Sequence, residues 1–219
     1  MAKKHVNENY IHDCGSTKVA IKDFITSVVD MGFSKEQVLE ILDFYLFHAA
    51  VLKSNKKDSG FGLKSMKDYG WAGNSEINKL EGRLLKASGI SVFCFIKADS
   101  IAQTLEMMDL GEKICIQHPR AVIKQDCSSS IQEDGSITIS QHETRMECLF
   151  RHIRNSLAHN HTYLFDNGNI MIEDCNDTGN VTARILMPKQ ALLDWMNVIK
   201  KIDEVQVAEN GKKLGEEVE

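Results

Sequence analysis

Apolar residues Met146, Leu149, Phe150, Ile153 and Leu157 recur at three- and four-residue intervals, the spacing of one buried face of an α-helix. Arg151, Arg154 and Asn155 fall off that stripe. Nearer the start, Val19, Ile21, Phe24, Ile25, Val28 and Val29 are also spaced as a helix, and Met31-Gly32-Phe33 breaks the pattern. Ser34, with Gln37 three residues on, can cap a second helix running to about Val51, whose Val38, Leu39, Leu42, Tyr45, Leu46 and Ala49 make a wide apolar face. His48, lying among them, reads as a partly buried bundle histidine rather than a catalytic one.

Residues 53–75 are polar and glycine-containing with scattered aromatics, and read as a long connection. Phe61, Tyr69 and Trp71 among Lys56, Lys57, Lys64 and Lys67 can either hold single-stranded RNA or pin the loop to the core, and pinning is favoured because the aromatics lack a periodic arrangement. Ser75 can cap a helix over 76–87, broken at Gly82 or stopped at Gly89. Residues 90–96 fit a strand or a buried helix segment, and Asp99 or Ser100 can cap a further helix reaching Leu110. Residues 113–117, 121–125 and 137–140 alternate as strands do, with Asp134-Gly135 a turn signal, and imply a small sheet or a structured insertion.

Beyond the Met146 stripe, 162–165 and 170–173 flank Asp166-Asn167-Gly168-Asn169, a strong hairpin signal because Asn and Gly accept positive φ at little cost. A turn over 176–180 leads to 181–187, which predicts a three-strand meander. Pro188 suits the first turn of a last helix through Lys201, with Leu192, Leu193, Trp195, Met196 and Ile199 as its apolar contacts.

At 219 residues the chain can bury a sizeable core. Its 26 basic and 31 acidic residues give a net charge of -5, so any nucleic-acid contact is local, with 53–57, 64–67 and 145–154 as the basic stretches. The six cysteines form no C-x-x-C pair or regular framework, which implies reduced thiols, and Cys148 reads as a small core residue. No apolar run approaches a membrane span, and Met1-Ala2-Lys3-Lys4-His5 is not followed by the apolar segment of a signal peptide; a cytoplasmic protein without membrane contact is expected.

The stretch Arg154-Asn155-Ser156-Leu157-Ala158-His159 joins a permanent cation to an imidazole suited to proton transfer near neutral pH. On one ideal helix positions 154 and 159 sit roughly 140° apart, so the helix should end near His159 if both are to reach one atom. His152 points to another side of the helix and reads as structural. There is no His-Glu-x-x-His, paired-cysteine or P-loop pattern, and no metal or other cofactor is expected.

The string Phe150-Arg151-His152-Ile153-Arg154-Asn155-Ser156-Leu157-Ala158-His159 resembles the signature of HEPN domains, an arginine followed after four to six residues by a histidine, and the sequence beyond is similar to the bacterial "HEPN family nuclease" group. The resemblance is best over 143–202. It implies a mainly α fold, a HEPN-like helical bundle with a small β-meander after the motif helix and an α+β middle region. The organisation then reads as a flexible lead-in over 1–16, a single domain over 17–202 with an insertion around 53–140, and a flexible tail over 203–219.

Functionally, the resemblance implies a metal-independent endoribonuclease that works as a homodimer on an RNA substrate, with Arg154 and His159 catalytic. Asn155, His161 and Tyr163 are supporting candidates, and Arg151, Lys64 and Lys67 are candidate RNA contacts. A role in bacterial phage defence or as a toxin follows, with an antitoxin or trigger protein as a further partner. In one HEPN subgroup a tyrosine two residues after the histidine is modified by a partner nucleotidyltransferase; here His161 holds that position and Tyr163 follows it, a departure from that pattern. The competing reading is a non-catalytic HEPN-like module that binds RNA or nucleotide, or serves in protein interaction.

Overall fold

The structure, a computed structural model, describes residues 10–12, 19–48, 66–98, 100–125, 127–131, 137–141 and 143–200. Its centre is not a helical bundle. The mainly α HEPN-like bundle expected from the sequence gives way to an α+β fold built on a five-stranded mixed sheet. The strands are β3 (Phe93–Ile96), β5 (Arg120–Lys124), β8 (Thr162–Leu164), β9 (Asn169–Cys175) and β10 (Val181–Pro188), in the order β3-β5-β10-β9-β8. β3 runs parallel to β5 and the remaining pairs are antiparallel. The meander over β8–β10 therefore forms as the sequence indicates, but two strands from the middle of the chain extend it into the main sheet.

Both faces of this sheet are covered. Phe93, Ala121, Ile123, Ile170, Ile172, Ala183, Ile185 and Met187 face the larger core. That core also contains apolar residues of α1 (Lys35–Leu42), α2 (Asn74–Ser88), α4 (Arg145–Ala158) and the last helix, α5 (191–200). The alternate residues Val122, Met171 and Leu186 face a second core with Ile21, α3 (Ala102–Met107) and Ile114 of β4 (Lys113–Cys115). The strand expected over 121–125 forms as β5, with Ala121, Val122 and Ile123 buried on both faces; what local spacing does not carry is its pairing with β10 and β3, residues distant in the chain.

Other local expectations are corrected. Residues 19–30, spaced as a helix, form the short strand β2 (Val19–Ala20) and two 3-10 turns, Ile21–Phe24 and Val28–Asp30. β2 pairs with β1 (Tyr10–His12), which lies within the expected lead-in and also pairs with β4. The Ser34–Gln37 capping box forms as expected, but α1 ends at Leu42 and continues as a π-helical turn, Asp43–Phe47. Gly73, not Ser75, caps α2, which runs through Gly82 to a left-handed Gly89. Residues 93–96 take the strand alternative, and Pro188 ends β10 instead of opening α5. Among the described residues β6 (Cys127–Ile131) and β7 (Ile137–Gln141) pair with each other only.

Tyr69 and Trp71 are buried, and the Tyr69 hydroxyl donates to the His48 carbonyl at 2.8 Å, so both act as pins. Phe61, Lys64, the basic stretch 53–57 and the tail 203–219 lie outside the described residues. No helix among the described residues is long and apolar enough to cross a membrane.

Candidate functional site

Helix α4 organises the site, and both of its ends are fixed by local chemistry. At its start the Thr144 hydroxyl accepts from the Glu147 amide at 3.2 Å, while the Glu147 carboxylate accepts from the Thr144 amide at 3.0 Å. Two otherwise orphaned amides are thereby satisfied. Along its length Met146, Leu149, Phe150 and Ile153 are fully buried, each contributing on the order of 1.5–3 kcal/mol.

At its end Asn160 adopts φ 57°, the left-handed conformation that asparagine tolerates better than most residues. The Asn160 amide donates to the Leu157 carbonyl at 3.3 Å and the His161 amide to the Ser156 carbonyl at 2.8 Å. This reversal makes His159 the C-cap residue and folds His161 back, leaving the two imidazole centroids 6.1 Å apart. The helix thus stops at the residue where a joint Arg154–His159 site requires it to stop. His161 is also stitched to the sheet, since its carbonyl accepts from the Glu173 amide at 3.0 Å.

The three arginines of α4 have different surroundings. Arg145 pairs with Glu81 at 3.2 Å. Arg151 makes a two-pronged contact with Glu143, Nε to Oε2 at 2.9 Å and Nη2 to Oε1 at 2.6 Å. Burial works against the Arg151 charge, but the bond to Glu143 and its negative charge outweigh that and hold the guanidinium more firmly protonated than usual. Arg154, half-buried, makes no hydrogen bond or ion pair with any described residue. The His159 side chain, exposed, and that of His161, half-buried, likewise have no hydrogen-bond partner among the described residues.

The other sequence candidates are spread out. Asn155 sits one turn from His159, to which its carbonyl is bonded at 2.9 Å, and its side-chain amide donates to Asp174 at 3.3 Å. Tyr163 lies on the far side of the sheet, fully buried, its hydroxyl donating to Glu173 at 3.2 Å. Burial and then the Glu173 charge raise its pKa above the ordinary phenol value. Lys67 is exposed on the 3-10 turn Met66–Tyr69, an element separate from α4.

A second group, next to the first, escaped sequence reasoning. His152 is 1% exposed, with Nδ1 2.6 Å from Oδ2 of Asp174 and Nε2 2.8 Å from the carbonyl of Lys124. Arg151 Nη2 also lies 3.3 Å from Nε2, so both ring nitrogens have polar partners. With Lys124, Arg151, Asn155, Asp174, Asp177 and Thr182, His152 lines an open cleft of about 310 Å³ between α4 and the ends of β5, β9 and β10.

The signal for Asp174 was present in the sequence. Glu173-Asp174 interrupts the apolar run of β9, and two carboxylates inside a buried strand require partners. Strand alternation sends them to opposite faces: Asp174 to His152, and Glu173 to Arg184 directly across on β10, with the Arg184 Nε 2.7 Å from Oε2. Cys175 follows, its thiol pushed up to about 12 by burial and then by the charges of Glu173 and Asp174.

Among the described residues no three His, Cys, Asp or Glu side chains gather as a metal-binding group. Comparison with family models, with curated proteins and with solved structures finds no match for this chain.

Proposed function

We propose that the protein is a metal-independent endoribonuclease in which Arg154 and His159 act on RNA, at a site completed by a second copy of the chain. The observation that carries this reading is the sorting of cations on α4. Arg145 and Arg151 are neutralised by carboxylates, whereas the arginine that the Arg–His spacing singles out has no partner among the described residues. A guanidinium left without a carboxylate on an otherwise well-paired helix is suited to a phosphate, whose oxygens match its planar fork.

In this reaction an imidazole takes the proton of the ribose 2′-hydroxyl as that oxygen attacks phosphorus, and Arg154 holds the phosphoryl oxygens as their charge grows. The bond to the 5′ oxygen breaks, and a second imidazole supplies the proton that this oxygen needs. The products are a 2′,3′-cyclic phosphate, or its opened form, and a 5′-hydroxyl. His159 of each copy supplies the two imidazoles, with His161 beside it at 6.1 Å as a supporting group.

The helical bundle that a HEPN resemblance implies is not the architecture found, so this reading rests on the local Arg–His stretch and not on the fold. The same resemblance motivates a role in bacterial phage defence or as a toxin, with an antitoxin or trigger protein as partner. The test is digestion of mixed RNA in EDTA by wild type, Arg154→Ala and His159→Ala. Cleavage by wild type, lost in both variants while fold and assembly persist, is expected. RNA bound but uncut at every protein concentration would instead make the chain a binding module.

A further inference from the structure

The two outer strands of the main sheet end differently. Along β8 the edge is closed: Ile25 bridges Tyr163, the Thr26 amide donates to the Thr162 carbonyl at 2.9 Å, and the Thr162 hydroxyl donates to the Thr26 carbonyl at 2.5 Å. Along β3 the edge is open. The Val92 and Ile96 carbonyls accept from the Ala121 and Gln125 amides at 3.1 and 2.8 Å, so the even-numbered residues turn their backbone groups toward β5. Phe93 and Phe95 then present N–H and C=O outward. None of these four groups is bonded to a described residue.

We propose that the β3 edge takes up an extended segment of a partner protein as a further strand, one that brings an acidic side chain to the groove beside it. Unpaired backbone groups at strand spacing select a polypeptide, because only another backbone repeats donors and acceptors at the same interval. There is surface left to cover. Cys94, Phe95 and Ile96 are half-buried, whereas Ala121, Val122 and Ile123 of the neighbouring strand are fully buried. A groove of about 680 Å³ runs beside the strand, lined by Phe93 and Phe95, by Asn74 and Asn78 of α2 and by Arg145 at the start of α4.

Charge narrows the partner. Lys97 and Arg145 are the charged residues that line the groove, both are basic, and no carboxylate lines it. Arg145 reaches Glu81 and Asn78 through Nη2 alone, at 3.2 and 3.4 Å, and its guanidinium carbon lies 5.7 Å from the centre of the Phe95 ring. Among the described residues its Nε and Nη1 have no partner. An added strand sends alternate side chains to this face, so an apolar residue against Phe95 and an acidic one in reach of Arg145 complement the groove. A second copy of the chain pairing through the same edge would instead set two basic grooves against each other. The groove lies at the start of α4 and Arg154 and His159 at its end, so the proposal does not depend on the endoribonuclease reading.

The test is an NMR titration of the full-length isotope-labelled protein with blocked peptides of about seven residues in which threonine alternates with valine or glutamate. The Phe93 and Phe95 amides should shift and saturate. Replacing the peptide's glutamates by lysine should weaken binding roughly fivefold or more, and Arg145→Gln should remove most of that difference with the spectrum of the fold intact. N-methylation of alternate peptide amides should abolish binding in one phase of the alternation and spare it in the other, because only one set of amides faces β3. Binding of none of the peptides, equal binding of the glutamate and lysine peptides, or indifference to N-methylation in both phases overturns the proposal. So do the same amide shifts produced by raising the protein concentration alone, which would assign the edge to a second copy, or by oligouridylate, which would assign the groove to RNA.

Discussion

Nδ1 of His152 lies 2.6 Å from Oδ2 of Asp174, and through that contact helix α4 is fastened to strand β9. The same ring reaches the Lys124 carbonyl of β5 at 2.8 Å, so one buried side chain ties the helix to two strands of the sheet. Arg154 and His159 project from a helix whose position is set in this way. Removing one partner leaves the other buried without compensation, which is the costly half of any buried pair. Asp174→Ala should therefore cost about 3 kcal/mol, read as a lower urea midpoint with unchanged slope. A loss below about 1 kcal/mol would show that the contact is not holding the helix.

The start of α4 allows an independent test of how the helix is held. Thr144→Ala removes the hydroxyl from a capping box and should cost about 1 kcal/mol. Glu147→Gln keeps a side-chain acceptor and should cost less. The denaturation midpoints of the two variants check the order; a larger loss for Glu147→Gln would mean that the carboxylate matters for a reason other than capping.

Alkaline pH should weaken the fold. Burial, with Glu173 and Asp174, raises the Cys175 thiol from about 9 to about 12, and burial with Glu173 raises Tyr163 as well. For an acid with a raised folded-state pKa the unfolded chain ionises first. The stabilising contribution is full below about pH 9 and is lost as pH rises through about 12. Urea midpoints should fall across that window, and Cys175→Ala together with Tyr163→Phe should flatten the fall. A midpoint that rises there would reverse the assigned sign.

Arg154 and His159 should be nearly neutral for stability, because neither side chain has a hydrogen-bond partner among the described residues. Alanine at either position should shift unfolding by no more than about 0.5 kcal/mol. The particle should also sediment at twice the 24.7 kDa of one chain, in wild type and in both variants. A monomer, or a variant that unfolds, would contradict the shared-site account.

The legible parts of the chain were those whose signals are local. The α4 stripe, the Ser34 capping box and the turn at Gly168 follow from residue spacing and φ preference, and all three form. The strand over 121–125 was legible, but its place in the main sheet was not, because β5 pairs with β10 about sixty residues on and with β3 before it, and local spacing carries no information on such partners. Val19 to Val29 mimics helical spacing, yet those residues line strand edges and 3-10 turns, where tertiary contact overrides period. At the site, Arg154 and His159 stood out as charges at one helix end. The Asp174–His152 pair, joining residues 22 apart through the sheet, could be found only by asking what a carboxylate inside β9 would bond.

The account turns on the ends of the RNA fragments. Wild-type protein in EDTA should release fragments with 5′-hydroxyl ends and 2′,3′-cyclic or opened phosphates, and Arg154→Ala and His159→Ala should each reduce the rate by at least about a hundredfold. Fragments with 5′-phosphate ends, or cleavage undiminished in either variant, would contradict the assignment of Arg154 and His159 as the catalytic pair.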